Sequence, residues 1–376
     1  MQVAESRWTA TTGWRTISGD VKNPNVVFYF GAPGTLDDGK IFQNLKELNP
    51  SALIMGCSTG GEIQGDDFFL DSVVAAAVAF ENTPLKLAQT QVNSPADSFA
   101  AGAKLAQELT ASDLKSIFIL SDGLKVNGSE LVRGVLSVVP KEIVVIGGLS
   151  GDGDKFTTTL VGANGPPASG VVAALGLYGD KIRIGHGSYG GWEAFGPERT
   201  ITKSSANVLY EIDGEPALDL YVRYLGDEAK GLPGTALFFP LCISSPDNKA
   251  AQIVRTILSV DHETKSLTFA GDVPQGFSAQ LMRARFENLI DGAEKAALKA
   301  GSDNSGESLA ILVSCIGRRL LMGQRISDEV AAAADALGDN CKRIGFYSYG
   351  EISPHGVSGC CELHNQTMTV SVFSEA

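Results

Sequence analysis

The sequence predicts an α/β fold with α+β elements: two related lobes, each a mixed β-sheet flanked by helices, with an antiparallel meander between them. Three observations carry that expectation. Apolar runs of strand length alternate with segments of helical spacing from Val26 to Ile146, as crossover units require. From Lys155 the helical spacing stops, and Phe156 to Val161, Val171 to Tyr178 and Ile182 to Tyr189 follow one another with only turns between them. Third, Gly56-Cys57-Ser58-Thr59-Gly60-Gly61-Glu62-Ile63 is echoed by Gly345-Phe346-Tyr347-Ser348-Tyr349-Gly350-Glu351-Ile352 in the spacing G-x-x-x-x-G-E-I, and Ser116 to Gly123 is echoed in the same order by Leu309 to Gly317. At 376 residues the chain exceeds what one core usually encloses, which agrees with two lobes. The expected division is a leader at 1–24, an N-terminal domain at 25–195 and a C-terminal domain at 196–376.

The elements follow in order. Val26 to Phe30 reads as a buried strand ended by Gly31 and Pro33, and Ile41, Phe42, Leu45 and Leu48 recur at helical spacing until Pro50. Ala52 to Met55 and Ser72 to Phe80 are strand-like. Asp97 or Ser98 caps a helix through Leu109; Ile117 to Leu120 is a strand, Ser129 to Val138 a helix, and Ile143 to Ile146 a strand that runs into Gly147-Gly148-Leu149-Ser150-Gly151-Asp152-Gly153. In the second half, Val208 to Ile212 reads as a strand and Pro216 opens a helix that stops at Gly226. Ala236 to Ile243 reads as a strand, and Ile253 to Val260 with Ser266 to Phe269 as a hairpin. A long helix is expected over Ala279 to Ala300, then a strand at Leu309 to Val313 and a helix from Ser327 to Leu337, stopped by Gly338.

A net charge of −13 without a Lys/Arg block argues against nucleic acid or an anionic membrane surface as partner. The N-terminus lacks the cationic end and apolar run of a secretory signal, and no apolar stretch approaches the roughly 20 residues of a membrane span. Six scattered cysteines without a C-x-x-C pair fit a reduced, cytoplasmic setting.

Candidate chemistry is sparse. The four histidines show no H-x-x-x-H or H-E-x-x-H spacing, so no preformed zinc site is expected. His262 reads as a solvated turn residue and His355 as a structural loop residue. His364 enters the last strand among polar residues. It is either a satisfied core histidine or the metal ligand of an open-sided centre such as haem, with His186 as runner-up. Glu62 and Glu351 are either paired carboxylates across a cleft or acceptors for the amides of their own turns. Cys315, beside Arg318 and Arg319, is an activated thiol or the end of a buried strand. No general base and no catalytic residue is identifiable, so an enzyme is not expected. The stretch Gly147 to Gly153 lacks the lysine and register of a phosphate loop.

Met55 to Ile63, Gly190-Gly191-Trp192 through Pro197, Asp213 to Leu218, Val313 to Arg318, Gly345 to Ile352 and Leu363 to Thr367, taken together and in this order, resemble the FIST-domain sensory proteins from about Asn25 to Phe373. The resemblance implies a ligand-sensing role. One branch of that family binds haem, senses nitric oxide and regulates partner histidine kinases. The similarity to that branch implies haem held by His364 or His186 with Arg318 near a propionate. Gas binding would strain the histidine and shift a loop such as Ile352 to Cys361. The alternative is a small-metabolite sensor without haem, for amino acids for instance, with a pocket formed by Glu62, Glu351, Ser58, Tyr347 and Tyr349. The implied partners are a histidine kinase and a small-molecule or gas ligand, with room for a homodimer.

Overall fold

The computed structural model describes residues 1–301, 306–355 and 360–376, and the side chains of residues 250, 251, 355 and 360 are not described. The α/β class holds: mixed sheets carry helices on their outer faces. Their chain order shows three repeats of one plan, each a parallel strand pair joined by a helix, then an antiparallel strand, with an earlier antiparallel strand outside it. In the first repeat Val26–Gly31 lies parallel to Leu53–Ser58, then come Val73–Ala79 and Gln2–Thr9. In the second, Leu114–Ser121 lies parallel to Val144–Leu149, followed by Val171–Tyr178 and Leu85–Gln91. In the third, Ser308–Cys315 lies parallel to Cys341–Ser348, followed by Met368–Glu375 and Ile182–Tyr189.

After its parallel pair, each repeat sends a short strand into a neighbour's sheet. Glu62–Gln64 adds to Cys341–Ser348 of the third sheet, Gly350–His355 to Val144–Leu149 of the second, and Val161–Ala163 to Leu53–Ser58 of the first. The exchange closes a ring. Inside it the inner faces of the three sheets form one core, with Phe28, Phe118 and Phe373, one from each sheet, packed ring against ring at 5.4, 6.4 and 6.1 Å. Helices Ser98–Leu109 and Gly128–Leu136 cover the second sheet, and Phe286–Ala300 and Ile326–Leu337 the third.

Residues 192–284 are an insertion between the first strand of the third repeat and its helix. They build a separate nine-stranded sheet around the helix Ala217–Leu225, with its own apolar core. Polar contacts dock it on the ring. Arg255 Nη1 donates to Leu363 O at 2.8 Å, Asn127 Nδ2 to Asp272 Oδ1 at 3.0 Å, and Gln366 Nε2 to Leu237 O at 3.0 Å.

Several expectations are corrected. The three runs between 156 and 189 are not a meander: they go to three different sheets, because Val161–Ala163 is exchanged into the first, while Val171–Tyr178 belongs to the second repeat and Ile182–Tyr189 to the third. Phe156 to Leu160 is not strand, since the amides of Phe156, Thr157 and Thr158 donate to the Asp152 carboxylate at 2.9, 2.8 and 2.7 Å and are lost to any ladder. The leader contains two strands, Gln2–Thr9 and Gly13–Ser18, a hairpin whose Trp8 and Trp14 pack on the outer face of the first sheet where the other repeats carry a further helix. Ser278–Ala284 is a strand paired with Leu241–Ser245, and the helix starts only at Phe286. Gly234–Phe238 is a tight 3-10 turn, which Pro240, lacking an amide, does not extend into the next strand. The helix expected from Ser327 begins at Ile326 without a side-chain cap. Part of the loop 352–361, residues 356–359, lies outside the described residues.

Candidate functional site

Glu62 and Glu351 occupy matching environments. Glu62 accepts the Thr59 hydroxyl at 2.6 Å, the Ser72 hydroxyl at 2.8 Å and the Ser72 amide at 3.3 Å. Glu351 accepts the Ser348 hydroxyl at 2.6 Å, the Thr367 hydroxyl at 2.9 Å and the Thr367 amide at 3.1 Å. Both are fully buried, and burial pushes their carboxyl pKa values up, to about 7 and about 8, against the lowering by those donors. They sit on exchange strands of different sheets and serve as acceptors for their own turns. Ser58 is also internal: its hydroxyl donates to Gly151 O and accepts from Leu160 N, both at 2.9 Å. Tyr347 is buried and donates to Glu329 Oε2 at 3.0 Å. Of the five residues expected to form a pocket, Tyr349 lines the cavity described below.

Arg318 is fully buried in an ion pair with Glu329, 2.5 Å from Nη2 to Oε1. It also donates to the carbonyls of Gly190 and Leu289, so its guanidinium is committed to holding three segments together. Arg319 donates to Gly60 O. Neither guanidinium activates Cys315: burial pushes that thiol far above its ordinary value, with Glu351 adding to the rise.

The histidines do not meet. His364 is 2% exposed, with Nε2 3.0 Å from Ser353 O. His186 is half-buried on Ile182–Tyr189, opposite Ser371, and burial, then Lys299, push its pKa down. His262 is exposed and the side chain of His355 lies outside the described residues. Among the described residues no group of three or more His, Cys, Asp or Glu could hold a metal ion. Among the described residues, His364, His186 and Arg318 are spread over separate strands and a helix, and none of them lines the cavity described below, so together they do not fit a haem.

A cavity of about 170 Å³ opens where the second and third repeats meet the inserted sheet. Gly123, Leu149, Cys315 and Tyr349 stand at the carboxyl ends of the four parallel strands of those repeats and form its floor. Gly123 is required there, because a Cβ would lie 2.0 Å from Ser150 O. Asn207, Thr256 and Phe269 of the inserted sheet form the roof, and the exposed side chains of Leu124, Phe156 and Leu258 rim the opening. Phe156, at φ 51°, stacks on the Tyr349 ring with 4.7 Å between centroids. The Tyr349 hydroxyl donates to Asp152 Oδ1 and to Gly153 O, the latter at 3.0 Å, so one carboxylate fixes both rings. Burial pushes the Asp152 pKa up, but donors from Tyr349, Thr158 and Thr157 outweigh it and hold the group below its ordinary value.

The fold is one of three strand-exchanged repeats with an inserted sheet that roofs the cavity. Residues 25–215 match the FIST N domain and residues 217–354 the FIST C domain, and the chain belongs to the FIST family of sensory domains, which act in signal transduction. The junction between the two matches falls inside the inserted sheet. An uncharacterized protein of Methanocaldococcus jannaschii is 22% identical over 353 residues, which cover 83% of this chain and 66% of the relative, so the chain spans just under two thirds of that protein's length. Among solved structures, a cyanuric acid hydrolase from A. caulinodans is 13% identical, covers 78% of this chain and 99% of its own, and superposes with a TM-score of only 0.20. No helix among the described residues is long and apolar enough to cross a membrane.

Sequence reasoning missed the roof. Thr256 and Asn207 lie in strand-like runs with no local mark of function, and the glycine-rich stretch around Asp152 at a strand end, set aside for lacking the lysine and register of a phosphate loop, was the one signal that could have pointed to the cavity.

Proposed function

We propose that this chain is a ligand-sensing protein whose small-molecule site is the cavity between the second repeat, the third repeat and the inserted sheet. The observation that carries this reading is the convergence of four parallel-strand carboxyl ends under a separately built roof. Loops at such ends are free to vary while the strands hold them in place, and ligands of open α/β sheets collect there. A molecule in the cavity touches ring and roof at once, so it favours the state in which the two are docked. That docking state is what a signalling partner would read.

The test is thermal unfolding of the purified protein against a metabolite library, run in parallel on Ala270→Trp, which places an indole in the cavity. A ligand that stabilises the native chain and not the variant is expected. Equal stabilisation of both would refute the assignment. Haem binding, nitric-oxide sensing and control of a histidine kinase are finer proposals that rest on the family resemblance, and the enclosed imidazole of His364 speaks against them. A Soret band lost in His364→Ala would reinstate them. An amino-acid site at Glu62 and Glu351 is not retained, because both carboxylates are already satisfied.

A further inference from the structure

The cavity also limits what can enter it. Among the described residues its lining contains no Asp, Glu, Lys, Arg or His. A charged ligand would therefore leave water without a countercharge, which is far costlier than burying a neutral one. Its polar atoms are few and mostly committed. Asn127 Oδ1 accepts the Ser129 and Glu130 amides at 3.0 and 3.2 Å, and its Nδ2 donates to Asp272. Asn207 Nδ2 donates to Phe269 O at 2.8 Å, and the Tyr349 hydroxyl is held by Asp152 and Gly153. Thr256 differs. It is 3% exposed, it lines the cavity, and its Oγ1 has no hydrogen-bond partner among the described residues. Its backbone is pinned, since Ala270 N donates to Thr256 O at 2.9 Å. Buried hydroxyls are nearly always paired; this one is closed off in the cavity wall, and a rotation about χ1 would let it meet a ligand atom.

Size narrows the class further. An apolar cavity on the order of 150 Å³ holds benzene, and this one measures about 170 Å³. Its walls at Leu149, Phe156 and Phe269 are apolar or aromatic.

Resting on the cavity reading above, we infer that the ligand is an uncharged molecule of about one aromatic ring, carrying one hydrogen-bonding group that pairs with the Thr256 hydroxyl. This excludes zwitterionic amino acids and carboxylates from the site.

The probes are benzyl alcohol, benzylamine, benzoate and toluene, titrated calorimetrically at neutral pH into the full chain, Thr256→Val and Ala270→Trp. Benzyl alcohol is expected to bind at least tenfold more tightly than benzylamine or benzoate. Thr256→Val is expected to weaken benzyl alcohol by about five- to tenfold, the scale of one net hydrogen bond, and to leave toluene unchanged. Charged probes that bind as well as benzyl alcohol and are blocked by Ala270→Trp would overturn the ligand class while supporting the cavity as a site. No binding by any probe at millimolar concentration, or a benzyl alcohol affinity indifferent to Thr256→Val, would also overturn the class. Binding that persists in Ala270→Trp would overturn the class and the site together.

Discussion

Replacing Thr256 by valine should make the ligand-free protein more stable, although the residue is buried and substitutions at such positions usually destabilise. Thr256 sits in the short gap between the strands Asn248–Arg255 and Ile257–Asp261. Its neighbour Arg255 is anchored to Leu363 O and Asp272 O, and Ala270 N holds its own carbonyl, so the site cannot relax to find the hydroxyl a partner. Valine has nearly the same shape and removes only the orphan oxygen. An unsatisfied buried polar group costs about 1–3 kcal/mol, and at about 2.1 cal/mol/K per residue each kcal/mol moves the midpoint of a chain of this length by about 1.3 °C. A rise of about 1–4 °C in the near-ultraviolet circular dichroism melt is expected. A fall of a degree or more would mean that the hydroxyl is satisfied within the protein, and the ligand assignment would lose its polar anchor.

Further outcomes follow from the other buried groups. Glu62 and Glu351 keep their protons in the folded chain up to about pH 7 and about pH 8, while the unfolded chain releases them near the ordinary value of 4.5. Their contribution to stability should therefore be largest below about pH 5, fall as pH rises toward 8 and level off beyond; denaturant melts of Glu62→Gln and Glu351→Gln between about pH 5 and 8 should each lose part of that fall relative to the unaltered chain, and an unchanged profile would remove these groups as its cause. Arg318→Met leaves Glu329 buried and unpaired and should cost about 3–5 kcal/mol in urea unfolding, much of it recovered in the double variant Arg318→Met/Glu329→Leu. Tyr349→Phe removes a donor to the Asp152 carboxylate, so hydrogen exchange at Phe156, Thr157 and Thr158 should accelerate while Phe28 and Phe118 stay protected.

Much of the fold was legible in the sequence, because apolar runs such as Val26 to Phe30 and Ser116 to Leu120 are buried on both faces and look the same in any sheet. Which sheet a strand joins was not legible. Hydrophobic pattern reports burial, and Val161, Val171 and Ile182 are equally buried in three different sheets. The Gly-Glu echo was a true signal of equivalence, down to the matching hydroxyl donors. It showed two copies because the second repeat has Gly151-Asp152 after its parallel pair, with the carboxylate turned to the Phe156 loop instead. The candidate site was the least legible part. Carboxylates and histidines attract notice by type, yet here they are bound up inside the scaffold, whereas the cavity is lined by a glycine, a threonine and aromatic rings that no spacing distinguishes.

The traded strands bear on how this chain can be handled. A fragment ending at residue 215 would keep the first and second parallel pairs but lose Gly350–His355, leaving the edge at Val144–Leu149 bare. A fragment starting at 217 would lack both Glu62–Gln64 and Ile182–Tyr189, the flanking partners of the third sheet. The two stretches matched to separate family domains should therefore be insoluble when expressed apart and regain structure when expressed together. Melting should be a single transition, since no third of the ring can come apart while its neighbours keep their edges covered.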